Sequence, residues 1–436
     1  MTGDVAQQAE RVVTTVLAEF TDGRHRGLIV DSPPGAGKST LVVRAAIHIA
    51  NSGEPAMVVA QTNDQVDDLI SRMAIQAPSI PIGRLRSDTY VPTPRTLHPN
   101  VTVAPKPEQL RHARIVIATA AKWVHVEDGV WPWAIIDEAY QMRSDMLLRV
   151  APRFHRALFV GDPGQLDPFA TIDIDRWTGL TWDPMQSAVA VLRRHNPDLP
   201  VHPLPVSWRL APAAAEPVSA AFYSFTPFDA ATRPDQRHLR YRTRGFGLAA
   251  VDATLDRAAR TGWALHELPA RHTLRTDTEA VEAIADLAVR ILARGAAATD
   301  ERSPHERDIT AADIAVGAAH RDQVAAIRQA LAARDAAEIR ADTANRLQGS
   351  EYDLLLVLHP LSGRRDATAF HLEAGRLCVL TSRHRHACIV VARAGIQDLL
   401  DAHPPGEPIH LGVPAKFPDG WEANQAMLTH LQQHLH

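Results

Sequence analysis

Residues 31–40 read DSPPGAGKST, after the apolar run Leu28-Ile29-Val30 and before the helical pattern LVVRAAIHIA. A strand that stops, turns through two glycines and opens straight into a helix is a βα turn of an α/β protein. Gly35 and Gly37 let backbone N–H groups turn inward. Lys38 adds a cation and Ser39 a hydroxyl where the helix starts. Such a loop cradles phosphate oxygens, its lysine reaching the β/γ-phosphates and its hydroxyl an Mg²⁺ ion, and the helix N-terminus favours an anion. Ser32 stands where these loops usually begin with glycine, which is tolerable if its backbone angles are ordinary. Pro33-Pro34 stiffens the start of the turn. A glycine-rich turn with an incidental lysine would explain the loop alone, but not its flanking strand and helix. The expected nucleotide contacts are Pro34, Gly35, Ala36, Gly37, Lys38, Ser39 and Thr40.

The rest of the chain repeats this grammar. GLIV (27–30), AMVVAQT (56–62), ARIVIATA (113–120), WAIIDEA (133–139) and RALFVGD (156–162) read as strands buried on both faces of a parallel sheet. DQVDDLISRMAIQA (64–77) reads as a helix between two of them. In the second half, GWALHELP (262–269), DIAVGAA (313–319), YDLLLVLHP (352–360) and HACIVVAR (386–393) read as strands. The stretches 276–294 and 321–334 read as helices, with Thr276 and Glu279 spaced as a capping box. Two α/β domains follow, over 1–215 and 216–436. Residues 78–112, rich in proline, and the charged stretch 295–308 read as irregular. The tail 421–436 reads as a terminal helix whose His430, His434 and His436 are expected to be solvated rather than metal-bound.

IIDEAYQM (135–142) is an apolar strand ending in two acids. Ligands of parallel α/β sheets sit at the carboxyl ends of strands. There Asp137 would hold Mg²⁺ and Glu138 would orient and deprotonate an attacking water. Alone, the pair would be two solvated acids; beside the phosphate loop it is catalytic.

Composition excludes other classes. The formal net charge is -4, so any nucleic-acid surface must be local. The two cysteines, Cys378 and Cys388, have no metal-ligand spacing and make no disulfide framework, which suggests a reducing interior. The N-terminus lacks signal-peptide character, and no apolar run approaches the ~20 residues that span a membrane. A cytoplasmic location without membrane attachment is expected.

Together these motifs resemble superfamily 1 helicases, within them the Upf-like and RecD-like branch. PPGAGKS resembles motif I, VVAQTNDQVDDLI (58–70) motif Ia, IVIATAAK (115–122) the next strand-end contact, and IIDEAYQ the DEAxQ form of motif II. GDPGQLDPF (161–169) is similar to motif III, with Asp167 where proline is usual, and PVSWRL (205–210) to motif IV. AHRDQVAAIRQAL (319–331) resembles the following element, where Gln323 marks a helix start. ADTANRLQGSEYDLLLV (341–357) resembles motif V, and RLCVLTSRHRHACIVVA (376–392) motif VI.

The resemblance implies two tandem RecA-like P-loop domains with parallel sheets and an ATP site in the cleft between them. It implies catalytic roles for Lys38, Asp137, Glu138, Gln165, Arg209 and Arg383, with Gln165 and Arg209 at the γ-phosphate and Arg383 as arginine finger. Ser39 and Asp137 would hold Mg²⁺. Gly349 and Glu351 would line the nucleotide site, Glu351 at the ribose; an upstream glutamine at the adenine would be Gln8, with Gln7 equally available. Thr62, Asn63, Thr119, Thr343 and Arg346 would face single-stranded nucleic acid. Trp123, Trp131, Trp133 and Trp208 are stacking candidates by position, though packing residues by type. Beyond Arg383, the cluster RHRH (383–386) reads as a solvated face. The function implied is ATP-driven movement on single-stranded nucleic acid, DNA rather than RNA and 5′-to-3′. An alternative is a nucleic-acid-gated ATPase switch in a repair or defence complex, favoured by the lack of room for large accessory domains. A small-molecule kinase is disfavoured by the later motifs, and a non-hydrolysing module by the intact Lys38, Asp137, Glu138 and Arg383.

Overall fold

The computed structural model of the chain describes residues 2–166, 168, 186–244, 249–273, 276–403 and 419–435. The first half supplies β1 (Gly27–Asp31), β2 (Ala56–Ala60), β3 (Ile82–Leu85), β4 (Val101–Ala104), β5 (Ile115–Thr119), β6 (Trp131–Asp137), β7 (Phe154–Gly161) and β8 (Val201–Pro203). They pair in the order β4-β3-β5-β2-β6-β7-β1-β8, every pairing parallel. Side chains alternate across the sheet. Val30, Val58, Ile135 and Leu158 enter one core, while Ile29, Met57, Ile136 and Phe159 enter the other. Helices cover both faces, which is why these strands are apolar without alternation.

After β9 (Val206–Ser207), β10 (Asp229–Ala230) and β11 (His238–Tyr241) come β12 (Trp263–Leu268), β13 (Ala296–Asp300), β14 (Ser303–Asp308), β15 (Ile314–Ala318), β16 (Arg340–Thr343), β17 (Tyr352–Leu358) and β18 (His384–Arg393). A second parallel sheet has the order β12-β18-β17-β15-β16. It too separates two cores. The fold is therefore two tandem RecA-like α/β domains. The helix Pro212–Phe222 packs into the second core, and the Trp263 indole N–H donates to Ala213 O at 2.8 Å. Among the described residues no helix is long and apolar enough to cross a membrane.

Four expectations change. The proline-rich stretch 78–112 adds β3 and β4 to the sheet edge. Arg84 hid the first of these, because a buried arginine is unusual in a strand. Its Nη2 donates to Asn63 Oδ1 at 2.8 Å, its Nε lies 3.4 Å from Asp67, and its guanidinium sits 3.8 Å from the Tyr90 ring centroid. The charged stretch 295–308 is the hairpin β13–β14, whose first strand pairs antiparallel with β11. Its acids are satisfied by arginines, Arg240 Nε donating to Glu306 at 2.6 Å and Arg242 pairing with Asp308. The helix Thr278–Ala293 is capped by Asp277, whose carboxylate accepts from Ala280 N at 3.3 Å; Thr276 is not the cap, and Glu279 instead pairs with Arg393 at 2.7 Å. In the terminal helix Gly420–Gln432, His430 is not solvated but half-buried, edge-on to Trp263 at 5.0 Å, and His434 lies 4.7 Å from it. His436 lies outside the described residues. Among those residues no group of three or more His, Cys, Asp or Glu could hold a metal.

Candidate active site

Strand order decides which motifs meet. β6 and β1 flank β7, so the loops leaving their carboxyl ends converge. Those loops carry Asp137-Glu138, Asp162 and DSPPGAGKST. β2 and β5 come next along the same edge and carry Thr62, Asn63 and Thr119.

The phosphate loop is held in the required shape. Gly35 and Gly37 have φ of +74° and +88°, and Gly37 opens the helix Lys38–Asn51 from left-handed backbone. Any side chain at Gly35 would put its Cβ 2.3 Å from the Arg209 Cβ. The segment after β8 laces onto the loop: Ser207 Oγ donates to Pro34 O at 2.6 Å and Trp208 N to Gly35 O at 2.8 Å. Ser32 is not among the positive-φ residues, so a serine fits where glycine is usual, and its amide donates to Gly161 O at 2.8 Å. Pro34 is buried, Ala36 half-buried and Thr40 exposed on the first helical turn.

Lys38 forms an ion pair with Glu138 across the loop. Burial works against the lysine's charge, but Glu138, Asp137 and Asp162 outweigh it and raise its pKa. The second Glu138 oxygen accepts from Gln141 Nε2 at 3.0 Å. Glu138 has φ of +52°, left-handed backbone that costs a residue with a Cβ about 1–3 kcal/mol. The surroundings enforce it: Glu138 N donates to Asp137 Oδ1 at 2.9 Å, and Glu138 O accepts from Gln141 N at 2.9 Å. The strain aims the carboxylate into the site. Asp137 is pushed up to about 7, by burial first; Lys38 pulls the other way and the Glu138 charge adds to the rise. Ser39 is half-buried at the adjacent helix start. The donor set fits Mg²⁺, which takes hard oxygens and is bound through one or two carboxylates, phosphates and retained waters.

The Asp137 shift has a sign that can be tested. A carboxyl whose folded pKa is raised contributes stability below its unfolded pKa and loses it as pH rises through the folded value. Between about pH 4 and pH 7 the unfolded state gives up this proton first, so the nucleotide-free protein weakens as pH rises. Asparagine mimics the neutral form. Asp137→Asn should melt above the wild type at about pH 8, with the gap narrowing as pH falls and closing by about pH 4, as scanning calorimetry without nucleotide would read.

The facing wall comes from the second domain and the segment leading to it. Asp162 accepts from Tyr223 Oη at 2.6 Å, from Gly164 N at 3.0 Å and from Gln165 Nε2. Burial raises its pKa to about 6, against the pull of Lys38, the Tyr223 hydrogen bond and Arg383. Lys38 and Arg383 thus act on one carboxylate from opposite domains. Gln165 Oε1 accepts from Gln348 Nε2 at 2.8 Å, a hydrogen bond between domains. The helix Ala374–Thr381 approaches so closely that a Cβ on Gly375 would lie 2.4 Å from Gln165 O. Asp167 lies outside the described residues.

Arg383 is 2% exposed, and its Nε and Nη2 have no hydrogen-bond partner. Arg209 is lowered to about 10, by burial first and then by the like charge of Arg383. Two buried guanidiniums that repel each other, one with unsatisfied donors, suit an anion between them. Glu351 accepts from Arg209 at 3.2 Å, Arg302 at 3.2 Å and Arg385 at 3.3 Å. Burial would raise the Glu351 carboxyl, but Arg209 and Arg385 outweigh it and hold it below the usual range. The remainder of RHRH is not a solvated face: His384, Arg385 and His386 are all buried, with Arg385 on Glu301 at 2.9 Å and His386 on Asp353 at 2.8 Å.

Other expected positions scatter more. Thr62 accepts from Gln65 N at 3.3 Å and caps the helix Asn63–Gln76, while Asn63 accepts from Arg84. Thr119 caps the short helix Ala120–Trp123 through Lys122 N at 3.3 Å. Thr343 begins the helix Ala344–Leu347, and the Arg346 side chain is 70% exposed. Gly349 has φ of +82° in open space. Gln7 and Gln8 are exposed on the helix Thr2–Asp22. Trp123, Trp131 and Trp133 are core residues, Trp123 Nε1 donating to Val58 O at 2.9 Å. Trp208 alone of the four is exposed, with its ring 4.0 Å from where a Gly37 Cβ would sit. Residue pattern had not marked Tyr223, Gln348 or Arg302. They are ordinary types that gain meaning only where the domains touch.

Residues 10–172 match a family described as an AAA domain, and residues 187–395 match another so described. No curated protein matches. Among solved structures, an arterivirus nonstructural protein 10 (helicase) is 14% identical, with a TM-score of 0.45, covering 88% of this chain and 61% of its own. The PRRSV helicase is 14% identical at a TM-score of 0.45, covering 92% and 58%. The arterivirus helicase in complex with DNA is 12% identical at 0.44, covering 89% and 65%. The chain thus spans about three fifths of the length of these helicases. Each half of the chain thus matches a family described as an AAA domain, one model over residues 10–172 and the other over residues 187–395.

Proposed function

We propose that this protein is an ATP hydrolase that couples turnover to movement along single-stranded nucleic acid. One observation carries the reading. Lys38 and Glu138 from the first domain face Arg383 from the second, whose buried guanidinium has unused donors beside a like-charged Arg209. A polyphosphate would satisfy the three cations, Lys38, Arg209 and Arg383, and would free Glu138 from its ion pair.

The loop 33–40 would wrap the β- and γ-phosphates, and Lys38 would exchange its Glu138 partner for them. Glu138, already aimed by its backbone, would then be free to orient and deprotonate water. Ser39 and Asp137 would hold Mg²⁺, which when bound neutralises phosphate charge. Gln165 would read the γ-phosphate and relay its state to the second domain through Gln348. Arg209 and Arg383 would stabilise charge on the transferring group. Trp208 is exposed beside the loop and suits stacking on the base. Because Arg383 stands on the second domain, hydrolysis would require the cleft to close, which links chemistry to motion. Thr62, Asn63 and Thr119 lie further along the same sheet edge and would grip the strand with Thr343 and Arg346. The branch, the 5′-to-3′ direction and the preference for DNA rest on motif resemblance.

The test is displacement of streptavidin from biotinylated oligonucleotides in the presence of ATP. Faster release from the 3′ end than from the 5′ end supports 5′-to-3′ movement. Stimulated hydrolysis with no displacement from either end would replace the motor with a gated switch.

A further inference from the structure

Arg209 needs a hold that its own side chain does not supply. Arg383 repels it. Its Nε reaches Glu351 at 3.2 Å, a carboxylate shared with Arg302 and Arg385, and its Nη1 donates to Ser382 O at 3.3 Å. The backbone is held more firmly. On one side Trp208 N donates to Gly35 O at 2.8 Å. On the other stands Arg237, buried just before β11. Its Nη2 donates to Trp208 O at 2.8 Å, and its Nη1 donates to Arg209 O and, at 3.3 Å, to Arg385 O.

A guanidinium carries its N–H donors in one planar fork, so fixing one edge aims the rest. Glu301 fixes that edge of Arg237, accepting from Nε at 2.8 Å and from Nη2 at 2.8 Å. Every nitrogen of Arg237 is thereby engaged. Glu301 lies in the turn of the β13–β14 hairpin, between the paired Asp300 and Ser303, and also accepts from Arg385 Nη2 at 2.9 Å. Burial would raise its carboxyl, but Arg237 and Arg385 outweigh it and hold it at about 2. A buried ion pair that only filled space would have no need to end on the carbonyls of Trp208 and Arg209, the residues laced onto the phosphate loop.

We propose that Glu301, acting through Arg237, is a positioning residue for Arg209: the hairpin turn sets where that guanidinium meets the transferring phosphoryl group and how it stands against Arg383. The proposal rests on the ATP-hydrolase reading above and deepens it, since none of the motifs includes Arg237 or Glu301. The loop, Lys38 and Trp208 keep their own contacts without Glu301, so the loss should fall on kcat rather than KM.

The test is steady-state ATP hydrolysis by the full chain. Misplacing a positioned group by a fraction of its reach costs up to about 10²-fold, so Glu301→Ala should lower kcat by about 10- to 100-fold with KM for ATP within about threefold of wild type. Glu301→Gln keeps the size of the side chain and gives up one of the two Arg237 bonds, so its kcat should fall in the same direction if the alanine variant does not fold. In an Arg209→Ala background the same substitutions should lower kcat by less than about threefold, because the group they position is gone. Glu306→Ala, which removes another arginine partner from the same hairpin, should leave kcat unchanged. If the wild type hydrolyses ATP and both Glu301 variants stay within twofold of it, the positioning role is wrong. It is equally wrong if the loss is as large without Arg209, or if Glu306→Ala matches it. If the wild type does not hydrolyse ATP, the hydrolase reading fails first and the positioning role with it.

Discussion

Glu138→Gln stops ATP turnover while leaving ATP bound. Glutamine keeps the size of the side chain and its contact with Gln141, but cannot take a proton from water. Removing a positioned general base lowers kcat by about 10²–10⁴-fold. Binding should persist or tighten, because in the wild type Lys38 must leave its ion pair with Glu138 to reach phosphate. Rapid-quench turnover and equilibrium binding of a fluorescent ATP analogue, measured on the same preparation, separate the two effects. Turnover within tenfold of wild type would remove Glu138 from the chemistry.

Arg383→Ala has the other large effect. An arginine delivered to a transferring phosphoryl group contributes about 10³–10⁵-fold to the rate. Here the guanidinium is buried, unsatisfied at Nε and Nη2, and stands immediately before β18 of the opposite domain. The alanine variant should bind ATP and fail to turn it over, and Arg383→Lys should not restore activity because a point charge does not reproduce the planar fork. A second signature follows from the like-charge pair. With Arg383 gone, Arg209 loses a repelling neighbour, so the nucleotide-free variant should melt no lower than wild type. A turnover defect with destabilisation would indicate a structural role.

How much of this was legible in the chain depends on range. Strands such as IVIAT and YDLLLVL announced themselves because burial on both faces leaves continuous apolar runs. The phosphate loop and the acids after β6 were readable because their chemistry is local: consecutive residues on one turn or strand end. β3 was not, since Arg84 looks like a surface residue until Asp67, Asn63 and Tyr90 close around it. The hairpin 296–308 was hidden by acids whose arginine partners lie far away in sequence. Trp123 and Trp208 have the same chemistry but opposite fates, one filling the core and the other open beside the loop. The Gln165–Gln348 bond and the Tyr223–Asp162 bond exist only because two domains meet, and no spacing within one motif encodes them.

The measurement that bears most directly on the central claim is steady-state ATP hydrolysis by the wild type with and without single-stranded DNA or RNA, with Glu138→Gln as background. The account predicts low basal turnover, strong stimulation by one polymer, and none of either in the variant. Equal rates with and without both polymers, abolished in Glu138→Gln, would contradict it, leaving an ATPase whose cleft answers to something other than nucleic acid.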